Sequence, residues 1–239
     1  RSLAPDMALA YGVMGDALLE LGRFEAGYRA YERMAELKPS IAAYARVAQA
    51  QAGLGQNDSA RRTIHLALDS AVDAETRAWA YVELGRLDRS DLRFAAAAGH
   101  FRNALAVSPG NPLALEAWGE TEAARGNLKR AISLQRQAVA RRFSPEFAAS
   151  LGDLYTVAGK RKAAAKAYDL VQRQEKRLAA NGVDTDVDRA MFQLEHGIDL
   201  RGSLGLARRG YAQRPGTEAS EVLSWALVRN EECNEAVRY

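Results

Sequence analysis

The chain has 239 residues, of which 48% are hydrophobic and 26% are charged, as is normal for a soluble globular protein. No apolar run approaches the roughly 18 residues that a membrane-spanning helix needs, and a net charge of +3 is too small to indicate a chain-wide nucleic-acid binder. The single cysteine, Cys233, excludes an internal disulfide and any site built from several cysteines.

The first residues, RSLAPD, lack the apolar segment of a secretory signal, and they do not begin with methionine. We therefore expect the chain to be a segment cut from a longer protein, with any targeting signal outside it. The sequence does not choose between cytoplasm and periplasm.

The first clear structural pattern lies in residues 22–39, which read GRFEAGYRAYERMAELKP. Gly22 interrupts the chain, and an amphipathic run follows in which Tyr28 and Tyr31 supply bulk among small residues. A second amphipathic run with Met14 and Leu18 precedes Gly22. Together they predict a helix, a short turn and a second helix within about 34 residues.

Variants of this unit recur along the chain. Asn111-Pro112 and Ser144-Pro145 each read as an N-cap followed by proline at the first helical position, and three extra residues lie around 74–76. One second helix is expected to run long, up to Asn181-Gly182. The predicted repeats cover about 8–40, 41–74, 78–111, 112–144, 145–178 and 184–216, with a truncated repeat at 217–239.

Small residues 12 positions apart, one on each helix of a unit, test this alignment. Such residues allow two helices to approach closely around a fixed turn. The pairs are Gly15/Gly27, Ala48/Ala60, Gly85/Ala97, Gly119/Ala131, Gly152/Ala164 and Ser224/Ala236. The sixth unit keeps the spacing in Met191/Ser203 but loses the small first member.

This 34-residue pattern, with its small residues and a proline near the end of several units, resembles the tetratricopeptide repeat family. The resemblance covers essentially the whole chain and implies an all-α, right-handed superhelical solenoid of antiparallel helix–turn–helix repeats in a single domain, from a bacterial source. It also implies an interaction scaffold without catalysis. The alternative is a regulatory or targeting module of a larger enzyme, secretion protein or transcription regulator.

Residues typical of catalytic or metal sites are isolated in this sequence. His65, His100 and His196 form no paired-histidine motif; the first two are expected on second helices and the third on a first helix. Cys233 is expected on a turn, and no glycine-rich phosphate loop is present. We therefore predict no enzyme activity, no cofactor and no metal.

In the family that this sequence resembles, the first helix of each repeat lines a concave groove. The fifth, ninth and twelfth or thirteenth positions then place a mostly acidic set in that groove, and Trp79 is expected at its edge. We predict that this face binds a protein or peptide of basic or mixed charge; a merely solvated groove is the alternative. A chaperone carboxylate clamp is not expected, because the asparagines and lysines of such clamps are missing. The predicted partner-binding residues are Asp16, Glu20, Gln49, Trp79, Arg86, Arg89, Glu116, Glu120 and Asp153.

The second helices of the fourth and fifth repeats carry the opposite charge. This basic stripe suits nucleic acid, anionic lipid or an acidic protein, and a solvated face is the simpler interpretation. Aromatic residues for base stacking are sparse, so nucleic acid is given little weight. The stripe contains Lys129, Arg130, Arg136, Arg141, Arg142, Lys160, Arg161, Lys162, Lys166, Arg173, Lys176 and Arg177.

Overall fold

The computed structural model describes residues 7–239, which form fourteen α-helices and no strand. The predicted all-α class is confirmed. The expectation of no secretory signal at residues 1–6 lies outside the described residues. The helices are α1 Ala8–Glu20, α2 Phe24–Leu37, α3 Ile41–Gly53, α4 Asn57–Asp69, α5 Ala74–Ser90, α6 Phe94–Val107, α7 Pro112–Ala124, α8 Leu128–Arg141, α9 Pro145–Val157, α10 Arg161–Ala180, α11 Asp186–Glu195, α12 Leu200–Gln213, α13 Thr217–Arg229 and α14 Cys233–Ala236.

The described residues form two compact units. The first comprises the residues up to Asp16 together with Phe24–Val171, and the second comprises Ala17–Arg23 together with Gln172–Tyr239. Within each unit, consecutive helices pack as pairs, for example α5 with α6 and α11 with α12. The repeat boundaries and the single continuous solenoid remain predictions.

Local sequence signals set the ends of the helices. The Asn111 side chain accepts a hydrogen bond from the Ala114 amide, and the Ser144 hydroxyl accepts one from Phe147, so both predicted N-caps are confirmed. Gly126, between α7 and α8, has φ +79°, a conformation that glycine adopts without steric cost. Leu92 takes the equivalent place between α5 and α6 with φ +60°.

Glycines on first helices lie directly beneath a large side chain of the second helix. A Cβ atom added to Gly15 or Gly152 would lie 2.3 Å from the ring of Tyr31 or Tyr168, and one added to Gly85 would lie 2.4 Å from Phe101. In each case the ring is 16 residues further along the chain. At these three glycines, the small residue predicted from the sequence therefore makes room for an aromatic ring of the second helix.

The core of the first unit is continuous from pair to pair. Phe101 is fully buried between α5 and α6, in a cluster that also includes Trp118 of α7, Leu134 of α8 and Phe147 of α9. Burying a side chain of this size stabilises the fold by about 1.5–3 kcal/mol. Each helix pair therefore depends on the next pair for part of its core.

The second unit has its own core, built from α11, α12 and α13. Leu194, Leu204, Leu223 and Leu227 are buried there. This region contains the sequence's weakest repeat, yet its apolar side chains still pack into one core.

Three local expectations change in the structure. The extra residues around 74–76 form the first turn of α5, which is capped by the Asp73 carboxylate. His196 follows the end of α11 instead of lying within it, and its Nδ1 is 2.7 Å from the Phe192 carbonyl oxygen. Cys233 is the first residue of the short helix α14 instead of a turn residue, because the turn after α13 takes up only residues 230–232.

Candidate functional site

A groove of about 650 Å³ lies between α3 and α5 in the first unit. Alanines of α3 leave the space open because their side chains are short. Trp79 and Arg86 of α5 border it, together with Gln49 of α3, so three of the predicted residues meet here. The lining comprises Ala45, Ala48, Gln49, Ala52, Gly55, Asn57, Ile64, Trp79, Glu83, Arg86, Leu87 and Ser90. We call this space the α3–α5 groove.

Charged side chains continue from the groove onto α7. Arg86 lies 2.9 Å from a Glu83 carboxylate oxygen and 3.4 Å from one of Glu116. One turn further along α5, Arg89 lies 3.1 Å from a carboxylate oxygen of Glu120. Three carboxyl groups and two guanidinium groups thus form one cluster, which we call the charged cluster.

Glu116 has an unusual environment within this cluster. Only 12% of its side chain is exposed. Burial, with the nearby Glu120 carboxylate as a second cause, raises the pKa of Glu116 to about 7 from its ordinary 4.5, against the opposing effect of Arg86. The cluster therefore changes its charge near neutral pH.

This pKa predicts how stability depends on pH. The folded state favours the neutral carboxyl of Glu116, so this contribution is fully present below pH 4.5 and is lost as the pH rises through about 7. We expect Glu116→Gln to match the wild type at pH 4.5. At pH 8 it should be more stable by on the order of 1–2 kcal/mol, because one pKa unit corresponds to about 1.4 kcal/mol and Glu120 shares the shift. Urea unfolding at a series of pH values measures the difference.

Glu25→Gln provides the control, since Glu25 is exposed at the start of α2. Its stability relative to the wild type should not show the gain at pH 8 that is expected of Glu116→Gln. A Glu116→Gln variant whose advantage is the same at pH 4.5 and pH 8 would contradict the raised pKa.

Other predicted site residues bond to neighbouring helices. The Asp16 carboxylate accepts hydrogen bonds from Arg46 at 3.1 Å and from the Tyr31 hydroxyl at 2.8 Å, and the bond from Arg46 is the main cause of its lowered pKa. Asp153 accepts a 2.6 Å hydrogen bond from the Tyr168 hydroxyl. Glu20 belongs to the second unit, where its backbone carbonyl accepts from Thr217.

Nine of the twelve groove-lining residues were not predicted from the sequence, among them Ala45, Ala52 and Glu83. Ala45 and Ala52 occupy the same fifth and twelfth repeat positions that selected the polar residues, so the positional rule could have found them. Glu83 lies three residues before Arg86, a spacing that brings side chains together on a helix. The two alanines contribute to the shape of the groove, and the glutamate contributes negative charge.

The residues considered for chemistry remain apart. His65 is exposed, and His100 is half-buried with its Nε2 3.5 Å from Asp88. Within residues 7–239, no three His, Cys, Asp or Glu side chains are grouped so that they could hold a metal ion. None of the helices in that range is both long and apolar enough to cross a membrane.

Comparison with known proteins agrees with the helix pairing. The tetratricopeptide repeat model matches residues 8–41, whereas no curated protein matches the sequence. Among solved structures, a chain of the APC/C hetero-tetramer Cut9–Hcn1 is 19% identical, with a TM-score of 0.58 over 93% of this chain and 43% of that one.

Two bacterial structures are similar over most of their own length. A thermophilic TPR protein of Thermus thermophilus, TTC0263, is 23% identical, with a TM-score of 0.57 over 70% of this chain and 91% of that one. PilF of Pseudomonas aeruginosa is 18% identical, with a TM-score of 0.56 over 91% and 97%. These likenesses concern the fold, which is generally that of non-catalytic scaffolds for binding other proteins. A tetratricopeptide repeat is thus identified at residues 8–41, and the paired helices of the described residues have the fold of tetratricopeptide repeat proteins.

Proposed function

We propose that this protein is an interaction scaffold that binds a segment of another protein in the α3–α5 groove, with the charged cluster at the side of the bound segment. The observation that carries this proposal is an open groove lined by three alanines beside the half-buried Trp79. Next to the groove lies the charged cluster, in which three acidic groups meet two basic groups. The similar structure of Cut9–Hcn1 is a hetero-tetramer, so this fold occurs there in an assembly with another protein.

The groove favours an apolar side chain in the bound segment. Ala45, Ala48 and Ala52 offer methyl groups and no hydrogen-bonding side chain, and Trp79 presents a large ring at the border. Tryptophan is among the residues that most often dominate the energy of protein interfaces. An aliphatic or aromatic side chain of the partner could be buried against Trp79 without leaving a polar group of these alanine side chains unpaired.

The charged cluster favours a basic side chain nearby. Above about pH 7, where Glu116 is ionised, Glu83, Glu116 and Glu120 outnumber Arg86 and Arg89 by one, and both arginines are already paired with carboxylates. The side chains of Glu83 and Glu120 are 28% and 35% exposed, so a lysine or arginine of the partner can reach them. A cation there would also ease the repulsion between Glu116 and Glu120. We thus expect a segment with one apolar and one basic residue.

A displayed random-peptide library panned on the intact chain tests this proposal. For the selected peptides, Trp79→Ala should weaken binding in fluorescence polarisation by about tenfold or more, since the ring supplies the main apolar contact. Phe143→Ala is the matched control: this aromatic residue is 41% exposed, follows α8 and lies outside the groove. Circular dichroism checks that both variants remain helical.

The charge preference has its own readout. Selected peptides should contain lysine or arginine, and replacing that residue by glutamate should weaken binding. Equal binding to the wild type and to Trp79→Ala would rule out the groove. Loss of affinity in Trp79→Ala without any preference for basic peptides would keep the groove and reject the role of the charged cluster.

A further inference from the structure

A second surface, on helices α8 and α10, has a strong charge of its own. Residues 128–142 and 160–177 contain twelve basic and two acidic side chains, a net charge of +10, so the remaining chain carries −7 of the total +3. Residues 128–142 contain no acidic side chain at all. The positive charge is therefore concentrated on α8 and α10 and is not spread over the chain.

Several basic residues of these helices are exposed and lack carboxylate partners. Six of them, all in the first unit, form neither an ion pair nor a cation–π contact in the described part of the chain: Lys129, Arg136, Arg141, Arg161, Lys162 and Lys166. We call them the basic surface. Some arginines elsewhere are paired with carboxylates: Arg46 pairs with Asp16, and Arg61 pairs with three aspartates. Unpaired like charges on neighbouring positions repel one another, and a bound anion would remove that cost.

The two helices of the basic surface are held by the same neighbour. Gln135 of α8 donates a 3.1 Å hydrogen bond to the Phe147 carbonyl of α9, and Gly152 of α9 lies beneath the Tyr168 ring of α10. Buried residues of α8 and α10 thus orient both helices, which leaves their basic positions exposed. Helix α8 alone is about 21 Å long, enough for several residues of an extended peptide.

Aromatic faces near this surface are already occupied by cations. The Arg130 guanidinium lies 4.6 Å from the centre of the Trp118 ring, and that of Arg142 lies 5.7 Å from the Phe147 ring. Among these rings, Phe143 is left partly exposed, whereas single-stranded nucleic acids are usually held by base stacking on several open rings.

We propose that the basic surface is a second binding site, which takes a short acidic segment of a protein. Its six cations can pair with a run of glutamates or aspartates. The length of α8, about 21 Å, suits a segment of several extended residues. Each exposed ion pair contributes at most about 1 kcal/mol, so affinity requires several pairs at once and falls with added salt. The site is independent of the α3–α5 groove, whose charged cluster favours a basic partner.

The test uses the intact chain and three fluorescein-labelled probes: a 12-residue peptide of alternating glutamate and serine, a single-stranded RNA and a DNA duplex of similar charge. The acidic peptide should bind at 50 mM salt and lose most of its affinity at 300 mM. The triple variant Lys129→Glu, Arg136→Glu, Lys166→Glu should bind it at least tenfold more weakly.

A control with the same net charge separates a specific surface from general attraction. Arg29→Glu, Arg62→Glu and Arg77→Glu reverse three exposed arginines on α2, α4 and α5, and together they should weaken binding less than threefold. Trp79→Ala should leave binding of the acidic peptide unchanged, which keeps this test distinct from that of the groove.

Three outcomes would overturn the proposal. The acidic peptide fails to bind at 50 mM salt, or the control triple variant loses as much affinity as the surface variant. The third is tighter binding of RNA or DNA than of the acidic peptide, which would assign the surface to nucleic acid. Helicity measured by circular dichroism confirms that both triple variants are folded.

Discussion

Gly85→Val is expected to lower the free energy of unfolding by about 3 kcal/mol, the upper end of the range for overpacked cores. A Cβ atom at this position would lie 2.4 Å from Cε1 of Phe101, where no real Cβ contact occurs. The ring cannot move aside easily, because it is fully buried among α5, α6 and α7. The strain must therefore be relieved by separating α5 from α6. Urea denaturation followed by circular dichroism measures the change.

Gly53→Val is the matched control for this prediction. Gly53 is the last residue of α3, and a Cβ atom added there would meet no heavy atom of another helix within 4 Å. Valine has a better helix propensity than glycine, so this change should be neutral or slightly stabilising, by up to about 0.5 kcal/mol. A Gly85→Val protein as stable as Gly53→Val would show that the helix pair is not closely packed at Gly85.

Asp88→Ala is expected to cost about 3 kcal/mol, because it removes a buried carboxylate that two arginines share. The Asp88 side chain is 8% exposed; its carboxylate lies 3.2 Å from Arg61 Nε and 2.7 Å from Arg93 Nη2. His100 Nε2 lies 3.5 Å from its other oxygen. Removing one partner of a buried ion pair typically costs about 3–5 kcal/mol, and the partly exposed Arg93 places this case at the lower end.

Asp91→Ala tests whether burial, and not charge alone, sets this cost. Asp91 also pairs with Arg61 and Arg93, but its side chain is 29% exposed, so its loss should cost at most about 1 kcal/mol. Asp88→Asn should retain part of the stability, since an amide oxygen can still accept from Arg61. Equal costs for Asp88→Ala and Asp91→Ala in thermal unfolding would contradict the buried network.

The sequence predicted those features of the fold that depend on interactions within a few residues of the chain. Asn111 and Ser144 cap helices because their side-chain oxygens reach the free amides of the first turn, whatever the helix then packs against. Gly126 permits a left-handed turn for a similarly local reason. The 34-residue period identified the helix pairs because each pair must bury the same pattern of apolar positions.

The candidate site was predicted only in part. Repeat positions selected Gln49 and Arg86, and Trp79 was expected at the groove edge; the three residues border one groove in the structure. The same rule selected Asp16 and Asp153, yet these side chains accept hydrogen bonds from Arg46 and Tyr168 within the fold. A position in a repeat predicts which face of a helix a residue occupies, but it does not predict the partner that it meets on the next helix.

By itself, the sequence determined that this protein is all-helical, where α7 and α9 begin, and which small residues allow pairs to pack. These properties follow from local capping, turn and periodicity rules. Only the tertiary structure decided that Glu116 is buried between Arg86 and Glu120 and that Asp88 is buried against Arg61 and Arg93. Burial and ion pairing depend on distances between helices that lie some 30 residues apart in the chain, and no local pattern encodes those distances.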